Sequence, residues 1–156
     1  MNDLYQNIII CSTDTVWGIG GPVDDLTLKL IYQLKQRPID KKIMILVGSI
    51  EQARSFKQWN TKAEQLAIKL WPGAYSIIVN DQGFRMPNQP LLIKYLLENG
   101  PMYMTSANIS GQTPVNSIIQ AQKIFPQVSK IYDFGPCSDV SSTIYNLDTN
   151  QVIVRK

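Results

Sequence analysis

The sequence contains no histidine. Imidazole is the side chain whose ordinary pKa lies nearest to neutrality, so this absence excludes Ser-His-Asp and Cys-His catalytic sites and every metal site that needs a histidine ligand. Any chemistry that the protein performs must therefore depend on cationic side chains, hydroxyl groups, the positioning of substrates and, at most, a metal ion that a substrate carries.

Cysteine is scarce as well. Cys11 and Cys137 are far apart and form no CxxC pair, so neither a disulfide framework nor a thiolate zinc site is predicted. No run of about 18 apolar residues is present, and residues 1–5 lack the charged and apolar regions of a signal peptide. We therefore expect a cytoplasmic protein that does not associate with membranes.

The composition is that of an ordinary folded domain. Hydrophobic residues make up 44% of the 156 residues, so the chain can bury a substantial core. We expect residues 1–156 to form a single domain. The net charge of +3 favours an anionic ligand but is far below that expected of a dedicated nucleic-acid-binding protein.

Strand-like and helix-like segments alternate along the chain, which predicts an α/β fold. The predicted strands cover residues 7–11, 43–47, 74–79, 84–87, 102–105 and 129–133, with a final pair through 145 and 152–155. The predicted helices cover a segment ending at residue 35 and residues 49–57, 61–70, 90–98 and 116–125. Hairpins at 80–83 and 148–151 make the sheet mixed. Asp24 or Asp25 should cap the first helix, and Thr61 with Glu64 should form a capping box.

A short cationic connection follows the first predicted helix. Residues 34–42 (LKQRPIDKK) carry four cations and lead directly into the strand at 43–47. Pro38 disfavours helical geometry at Arg37, so the helix should end there and place the cations at the mouth of the strand, where they could hold phosphate. The alternative is that they only complement the dipole of a helix C-terminus.

Polar turns follow two of the predicted strands. Residues 12–22 combine hydroxyl groups with glycines, which would let a ligand approach the backbone, although glycines that only form turns explain the pattern equally well. Residues 106–111 (SANISG) end another strand and could bind an anion. If Phe84 and Met86 face the core, Arg85 between them faces a cleft or solvent.

Six motifs in this sequence occur in the same order in one known family. They are 12–18 (STDTVWG), 35–38 (KQRP) with Asp40 and Lys41, 71–73 (WPG), 85–87 (RMP), 106–111 (SANISG) and 142–143 (ST). On these motifs the chain resembles the YrdC-type threonylcarbamoyladenylate synthases from residue 8 to residue 155. Lys-x-Arg followed by a later Ser-x-Asn is the signature of that family.

The resemblance implies a fold and a reaction. The implied fold is a twisted mixed sheet flanked by helices around an open, positively lined cavity. The implied reaction joins L-threonine, bicarbonate and ATP into threonylcarbamoyl-AMP and pyrophosphate. The product then supplies the threonylcarbamoyl group for the adenosine beside the anticodon of tRNA, through a separate transferase complex. ATP is a substrate, Mg²⁺ would arrive with the nucleotide, and no metal site is expected in the chain itself.

The resemblance also implies a set of site residues. The residues implied in catalysis are Lys35, Arg37, Ser106 and Asn108. The residues implied in ATP binding are Arg37, Lys41, Ser76, Asn108, Asn116 and Arg155. The residues implied in threonine binding are Thr15, Arg85, Ser106 and Ser142, with Arg85 as the partner of the substrate carboxylate. Lys35, Arg37 and Lys41 would compensate charge at phosphorus, and Arg37 can grip phosphate through two parallel N–H bonds.

The chain departs from the family at several positions. Ser12 replaces the usual proline, and Trp17 replaces tyrosine or phenylalanine, a change expected to reshape the pocket wall. Leu46 stands where many relatives have a substrate-contacting histidine, so that contact is lost. We expect no additional C-terminal domain of the kind that longer relatives carry.

Two other functions are compatible with the motifs. A carbamoyl-transfer domain of the hydrogenase-maturation type shares them, but normally within a longer chain with zinc-finger and acylphosphatase-like parts. A non-catalytic RNA-binding module would bind tRNA tightly and in a salt-sensitive manner, without nucleotide turnover. Pyrophosphate release that requires both threonine and bicarbonate distinguishes the three functions.

Overall fold

A computed structural model of the protein describes residues 3–38 and 42–155. The strands in these ranges are β1 Ile9–Cys11, β2 Gly18–Pro22, β3 Met44–Leu46, β4 Tyr75–Val79, β5 Gln82–Arg85, β6 Met102–Ser106, β7 Lys130–Tyr132, β8 Thr143–Asn146 and β9 Gln151–Ile153. The helices in these ranges are α1 Asp25–Lys35, α2 Ile50–Arg54, α3 Thr61–Leu70, α4 Pro90–Asn99 and α5 Ile118–Ile124. The predicted α/β class is confirmed.

All nine strands belong to one sheet, in the order β7-β1-β2-β6-β3-β5-β4-β8-β9. The pairs β1·β7, β3·β5 and β4·β8 are parallel. The remaining five pairs are antiparallel. The sheet is therefore mixed, as the two hairpins in the sequence predicted.

Strand β2 lies in a segment that was expected to be a loop. Its glycines allow the strand to lie close against β6, because a Cβ added at Gly20 would overlap the Tyr103 carbonyl oxygen. A Cβ added at Gly18 would come within 2.6 Å of Met104 Sδ. Gly18 and Gly20 therefore allow β2 to pair closely with β6, and turn formation does not explain them.

Short polar side chains cap the helices. Asp24 caps α1 by accepting the Thr27 N–H at 2.8 Å, which confirms one of the two predicted caps. The predicted capping box at Thr61 is wrong, because Asn60, one residue earlier, accepts the Ala63 N–H at 2.9 Å. Glu64 instead bonds the Arg54 guanidinium at 2.7 Å.

Helices cover the two faces of the sheet unequally. On one face, α1 and α5 pack over Ile8, Ile10 and Ile19, while α2 and α3 pack over Ile45, Ile77 and Phe84. On the opposite face, α4 packs through Leu92 and Leu96 against Leu46, Met102 and Met104. None of the helices within the described ranges has the length and apolar character needed to cross a membrane. The second face thus remains partly uncovered, and the candidate site lies there.

Candidate functional site

A cavity of about 500 Å³ lies on the face of the sheet that α4 covers only in part. Alternate residues of neighbouring strands form its floor, since side chains along a strand point to opposite faces. These floor residues are Met44, Leu46, Ser76, Ile78, Gly83, Arg85, Met104, Ile144 and Asn146. Among the described residues, the charged ones that border the cavity are Arg37, Lys42, Arg85, Arg155, Asp81 and Asp148. Within this set cations outnumber carboxylates, which favours an anionic ligand.

Leu46 and Trp17, two positions at which the chain departs from the family pattern, lie in different surroundings in the structure. Leu46 lies on the cavity floor. Trp17 does not reshape the cavity wall as expected. Its side chain is 4% exposed and packs in the core under α1, whereas its neighbours Val16 and Gly18 border the cavity.

The Arg85 side chain is held in place by hydrogen bonds to three residues. Its guanidinium donates from Nη1 to Asp14 Oδ1 at 2.6 Å and to the Gly73 carbonyl at 3.1 Å, and from Nη2 to Thr15 Oγ1 at 3.1 Å. The neighbouring Phe84 packs in the core on the other face of β5, so Arg85 faces the cavity as the alternation predicted. Sequence reasoning did not single out Asp14, whose signal was a lone carboxylate within a loop of hydroxyl residues.

The loop between β1 and β2 is organised by its two threonines. Thr13 Oγ1 donates to the Val16 carbonyl at 2.7 Å and accepts the Thr15 N–H at 3.0 Å. The hydroxyl oxygens of Thr13 and Thr15 lie 3.1 Å apart. Thr15 is 4% exposed and borders the cavity.

Ser76, Ser142 and Arg155 form a second cluster at the cavity wall. The two serine hydroxyl oxygens lie 2.6 Å apart, so residues implied in ATP binding and in threonine binding are in direct contact. Arg155 donates from Nε to the Ser142 carbonyl at 2.9 Å and from Nη2 to Ser142 Oγ at 2.8 Å. Burial and the charge of Arg85 lower the pKa of the Arg155 guanidinium.

Lys35 is buried beneath residues 106–108 and does not border the cavity. Its side chain is 1% exposed, and Nζ donates to the Ser106 carbonyl, to the Asn108 carbonyl at 2.9 Å and to Asn108 Oδ1 at 3.0 Å. Burial lowers the pKa of Lys35 to about 7, and the charge of Arg37 acts in the same direction. The first cation of the Lys-x-Arg motif therefore holds the Ser-x-Asn motif in place.

Arg37 lies beyond the end of α1 and borders the cavity. The helix ends at Lys35, with Gln36 as its left-handed C-cap, and Arg37 Nη2 donates to the Lys42 carbonyl at 2.9 Å. Burial lowers the pKa of the Arg37 guanidinium. Arg37 therefore lies at the cavity and not within the last turn of the helix.

The other implied site residues are distributed as follows. Ser106 borders the cavity, whereas Asn108 is buried behind it and bonds Ser106 Oγ at 2.5 Å. Asn116 is exposed and is not part of the cavity wall, and its backbone N–H donates to Gln120 Oε1 at 2.9 Å. Lys41 lies outside the described residues.

The carboxylates of the cavity are already engaged by the protein. Asp148 accepts the N–H groups of Asn80 and Asp81 at 2.8 Å and 2.7 Å, and Asp81 pairs with Lys42 at 3.2 Å. Across residues 3–38 and 42–155, no group of three or more His, Cys, Asp or Glu side chains could hold a metal ion. These residues therefore do not fit a metal cage of the protein's own.

Known proteins resemble the chain over most of its length. The family model of Sua5, YciO and YrdC proteins, described as telomere recombination, matches residues 5–156. Threonylcarbamoyl-AMP synthase of Saccharophagus degradans is 30% identical over 171 residues, which cover 96% of this chain and 88% of that protein. A Methanocaldococcus jannaschii protein provisionally named threonylcarbamoyl-AMP synthase is 27% identical over 165 residues, which cover 96% of this chain and 79% of that protein.

A solved structure shares the fold. Pyrococcus abyssi Sua5 complexed with L-threonine matches 94% of this chain with a TM-score of 0.82 and 27% sequence identity. The chain spans 48% of that longer protein, or about half of it. The twisted mixed sheet with flanking helices is therefore the same architecture in both proteins.

Proposed function

Because the chain belongs to the Sua5/YciO/YrdC family, we propose that it synthesises threonylcarbamoyl-AMP from L-threonine, bicarbonate and ATP. The observation that carries the proposal is the convergence of Thr15, Arg85, Ser106 and Ser142 with Arg37 and Arg155 around one cavity. Hydroxyl groups and cations in such a cavity suit an amino acid together with a triphosphate. In this proposal residues 1–156 act as one catalytic domain.

The proposed chemistry needs no histidine. The amine of threonine combines with bicarbonate to form a carbamate and water, and a carbamate oxygen then attacks the α-phosphorus of ATP. The bond between the α-phosphorus and the bridging oxygen breaks, and pyrophosphate leaves. Since the attacking carbamate is already an anion, the protein has to supply only alignment and compensation of the charge that develops at phosphorus.

The threonine end of the cavity is assigned to Arg85 and its neighbours. A guanidinium has five N–H groups, and the bonds of Arg85 to Asp14, Gly73 and Thr15 account for three of them. The remaining capacity supports binding of the substrate carboxylate on the cavity side. Ser142 also borders the cavity, and its hydroxyl oxygen accepts a hydrogen bond from Arg155.

The nucleotide end is assigned to the cations that border the cavity between α1 and β3. Arg37 would hold phosphate oxygens through its planar fork, and Lys42 would add positive charge. The resemblance implies ATP binding for Lys41 as well, which lies outside the described residues. A Mg²⁺ ion carried by ATP would take up part of the charge on the leaving pyrophosphate. The protein carboxylates do not bind it in this proposal, since Asp81 and Asp148 are engaged elsewhere.

The product has a defined use under this proposal. A threonylcarbamoyl transferase complex would accept it and modify the adenosine beside the anticodon of tRNA, so this chain would serve tRNA indirectly. The reaction would take place in the cytoplasm, where tRNA, ATP and bicarbonate are available together.

Pyrophosphate release is the measurement that tests the proposal. We expect release that requires L-threonine and bicarbonate together and that stops when either is omitted. Release without a threonine requirement would instead support carbamoyl transfer of the hydrogenase-maturation type. Salt-sensitive tRNA binding without any turnover would support a non-catalytic RNA-binding module.

A further inference from the structure

Two hydroxyl groups that border the cavity, those of Thr15 and Ser106, have their hydrogen atoms directed away from it. A hydroxyl group carries one hydrogen to donate and two lone pairs that accept. Where every partner of a hydroxyl is known, the group that donates in each bond follows by counting. The remaining hydrogens and lone pairs determine what kind of ligand atom each of the two oxygens can bind.

Thr13 determines the direction of the Thr15 hydroxyl. A carbonyl oxygen only accepts, so the single hydrogen of Thr13 Oγ1 is used in its 2.7 Å bond to the Val16 carbonyl. Thr15 must therefore be the donor in the 3.1 Å contact between the two threonine oxygens. One lone pair of Thr15 Oγ1 accepts from Arg85 Nη2, and the other remains for the cavity. Thr13 itself has no bonding capacity left, because it also accepts the Thr15 N–H.

Asn108 determines the direction of the Ser106 hydroxyl in the same way. The Asn108 amide nitrogen donates to the carbonyls of Ile109 at 2.9 Å and Gln112 at 2.8 Å, so the orientation of the amide is fixed. Its oxygen, Oδ1, can only accept, and Ser106 Oγ must donate to it across 2.5 Å. Lys35 Nζ also bonds this Oδ1 at 3.0 Å.

Lys35 leaves the lone pairs of Ser106 available. The three hydrogens of its ammonium group are matched by the Ser106 carbonyl, the Asn108 carbonyl and Asn108 Oδ1. Ser106 Oγ lies farther from Nζ, at 3.5 Å. Ser106 therefore presents an acceptor to the cavity, as Thr15 does.

The Ser76–Ser142 pair keeps a hydrogen-bond donor, whereas Thr15 and Ser106 present acceptors. The two hydroxyls together carry two hydrogens, and their mutual 2.6 Å bond uses one of them. Arg155 donates to Ser142 Oγ and so uses no hydroxyl hydrogen. One hydrogen of the pair is left to donate, whichever serine carries it.

We propose that Thr13 and Asn108 are positioning residues that hold the Thr15 and Ser106 oxygens as acceptors, and that these two oxygens bind the amino group of the amino-acid substrate. This inference rests on the proposed function and adds the orientation of threonine to it. Thr15 precedes β2, and Ser106 is paired with Gly18, the first residue of β2, so both oxygens belong to the same end of the sheet.

The substrate carboxylate is excluded from this pair of oxygens. A carboxylate offers only lone pairs, and facing it with two acceptors would leave desolvated groups without hydrogen bonds. The carboxylate fits the donor groups instead, which are the guanidinium groups of Arg85 and Arg155 and the hydroxyl pair of Ser76 and Ser142. Selection of an amino acid over a hydroxy acid thus follows from where two hydroxyl hydrogens point.

Calorimetric binding of L-threonine and of its deamino analogue, (R)-3-hydroxybutyrate, tests the proposal. The wild type should prefer L-threonine by about a hundredfold, since each of two hydrogen bonds to a charged amino group contributes roughly tenfold. Thr13→Val frees the Thr15 hydrogen to point into the cavity and should lower this preference by about tenfold. Thr13→Ser keeps the hydroxyl and should keep the preference.

Ser106→Ala gives a second, independent test. It should lower L-threonine affinity by about tenfold and leave the affinity for (R)-3-hydroxybutyrate unchanged. The inference is overturned if the folded Thr13→Val variant keeps the wild-type preference, if Ser106→Ala weakens both ligands equally, or if the wild type shows no preference. Threonine-dependent pyrophosphate release is measured on the same preparations, so that failure of the proposed function is recognised separately.

Discussion

Asp14 and Arg85 form a largely buried ion pair, with 2.6 Å between Asp14 Oδ1 and Arg85 Nη1. The other carboxylate oxygen, Oδ2, accepts the Asn88 N–H at 2.9 Å. Because both partners are largely shielded from water, neither can lose the other without leaving a poorly solvated charge. The arginine proposed to bind the substrate is thus charge-balanced by the protein before any ligand arrives.

Neutralising Asp14 should destabilise the fold. Asp14→Asn keeps the shape of the side chain but leaves Arg85 uncompensated, and we expect the free energy of unfolding to fall by about 3 kcal/mol. Urea unfolding measures this change. Asp81→Asn is the matched control, since the Asp81–Lys42 pair is exposed and its removal should change stability little. Equal effects of the two substitutions would contradict the structural role of the buried pair.

Removing Arg85 should affect L-threonine and ATP differently. Arg85→Ala removes the proposed carboxylate partner, so the KM for L-threonine should rise far more than the KM for ATP. Steady-state pyrophosphate release with each substrate varied in turn measures both constants. The Asp14→Asn/Arg85→Ala double variant controls for the unpaired carboxylate. Equal increases in the two KM values would remove the carboxylate assignment.

Arg37 should act on turnover more than on stability. If its guanidinium holds charge that develops at phosphorus, Arg37→Ala should lower kcat a hundredfold or more, about 3 kcal/mol in the barrier. Arg37→Lys keeps the charge but loses the planar fork, and should recover less than about a tenth of the activity. A near-normal kcat for Arg37→Ala, measured beside an unchanged melting temperature, would exclude Arg37 from the active site.

The buried Lys35 should make stability depend on pH. Its pKa is about 7 in the folded protein, whereas a lysine in an unfolded chain has a pKa of about 10.4. Between these values the unfolded chain holds more protons, so stability rises with pH. The free energy of unfolding of the wild type, relative to that of Lys35→Met, should therefore increase from pH 7 to about pH 10. A flat difference over this interval would show that the folded pKa is not lowered.

The cysteines should be dispensable for turnover. Burial raises the pKa of the Cys11 thiol to about 12, and burial also raises the pKa of Cys137, so neither thiol forms a nucleophilic thiolate near neutral pH. Cys11→Ala, Cys137→Ala and the double variant should keep a kcat close to that of the wild type. An inactive double variant, together with wild-type inactivation by a thiol alkylating agent that the double substitution prevents, would contradict this expectation.

The sequence was informative where local pattern decides structure. Apolar runs located eight of the nine strands, and helix periodicity located the five helices, because burial of one face is encoded in residue spacing. Strand β2 was missed because its glycines form no apolar pattern, and its geometry depends on close pairing with β6.

The sequence predicted the candidate site only in part, because the site depends on contacts between distant parts of the chain. Lys35 and Arg37 belong to one motif, yet one is buried against residues 106–108 and the other borders the cavity. That difference depends on the left-handed turn at Gln36 and on contacts from a distant part of the chain. Asp14 was missed because its partner, Arg85, is 71 residues away.

The position of Ser76 opposite Ser142 also bears on how the protein matures during translation. These two cavity residues are 66 positions apart and meet only when β8 has paired with β4. Because Ser142 and β8 lie near the C-terminal end of the sequence, the contact cannot form until most of the chain has been synthesised. A nascent chain that stops before β8 therefore lacks one wall of the cavity, however well its earlier strands have folded. A ligand that needs this wall stabilises only the finished sheet and cannot stabilise an assembly intermediate.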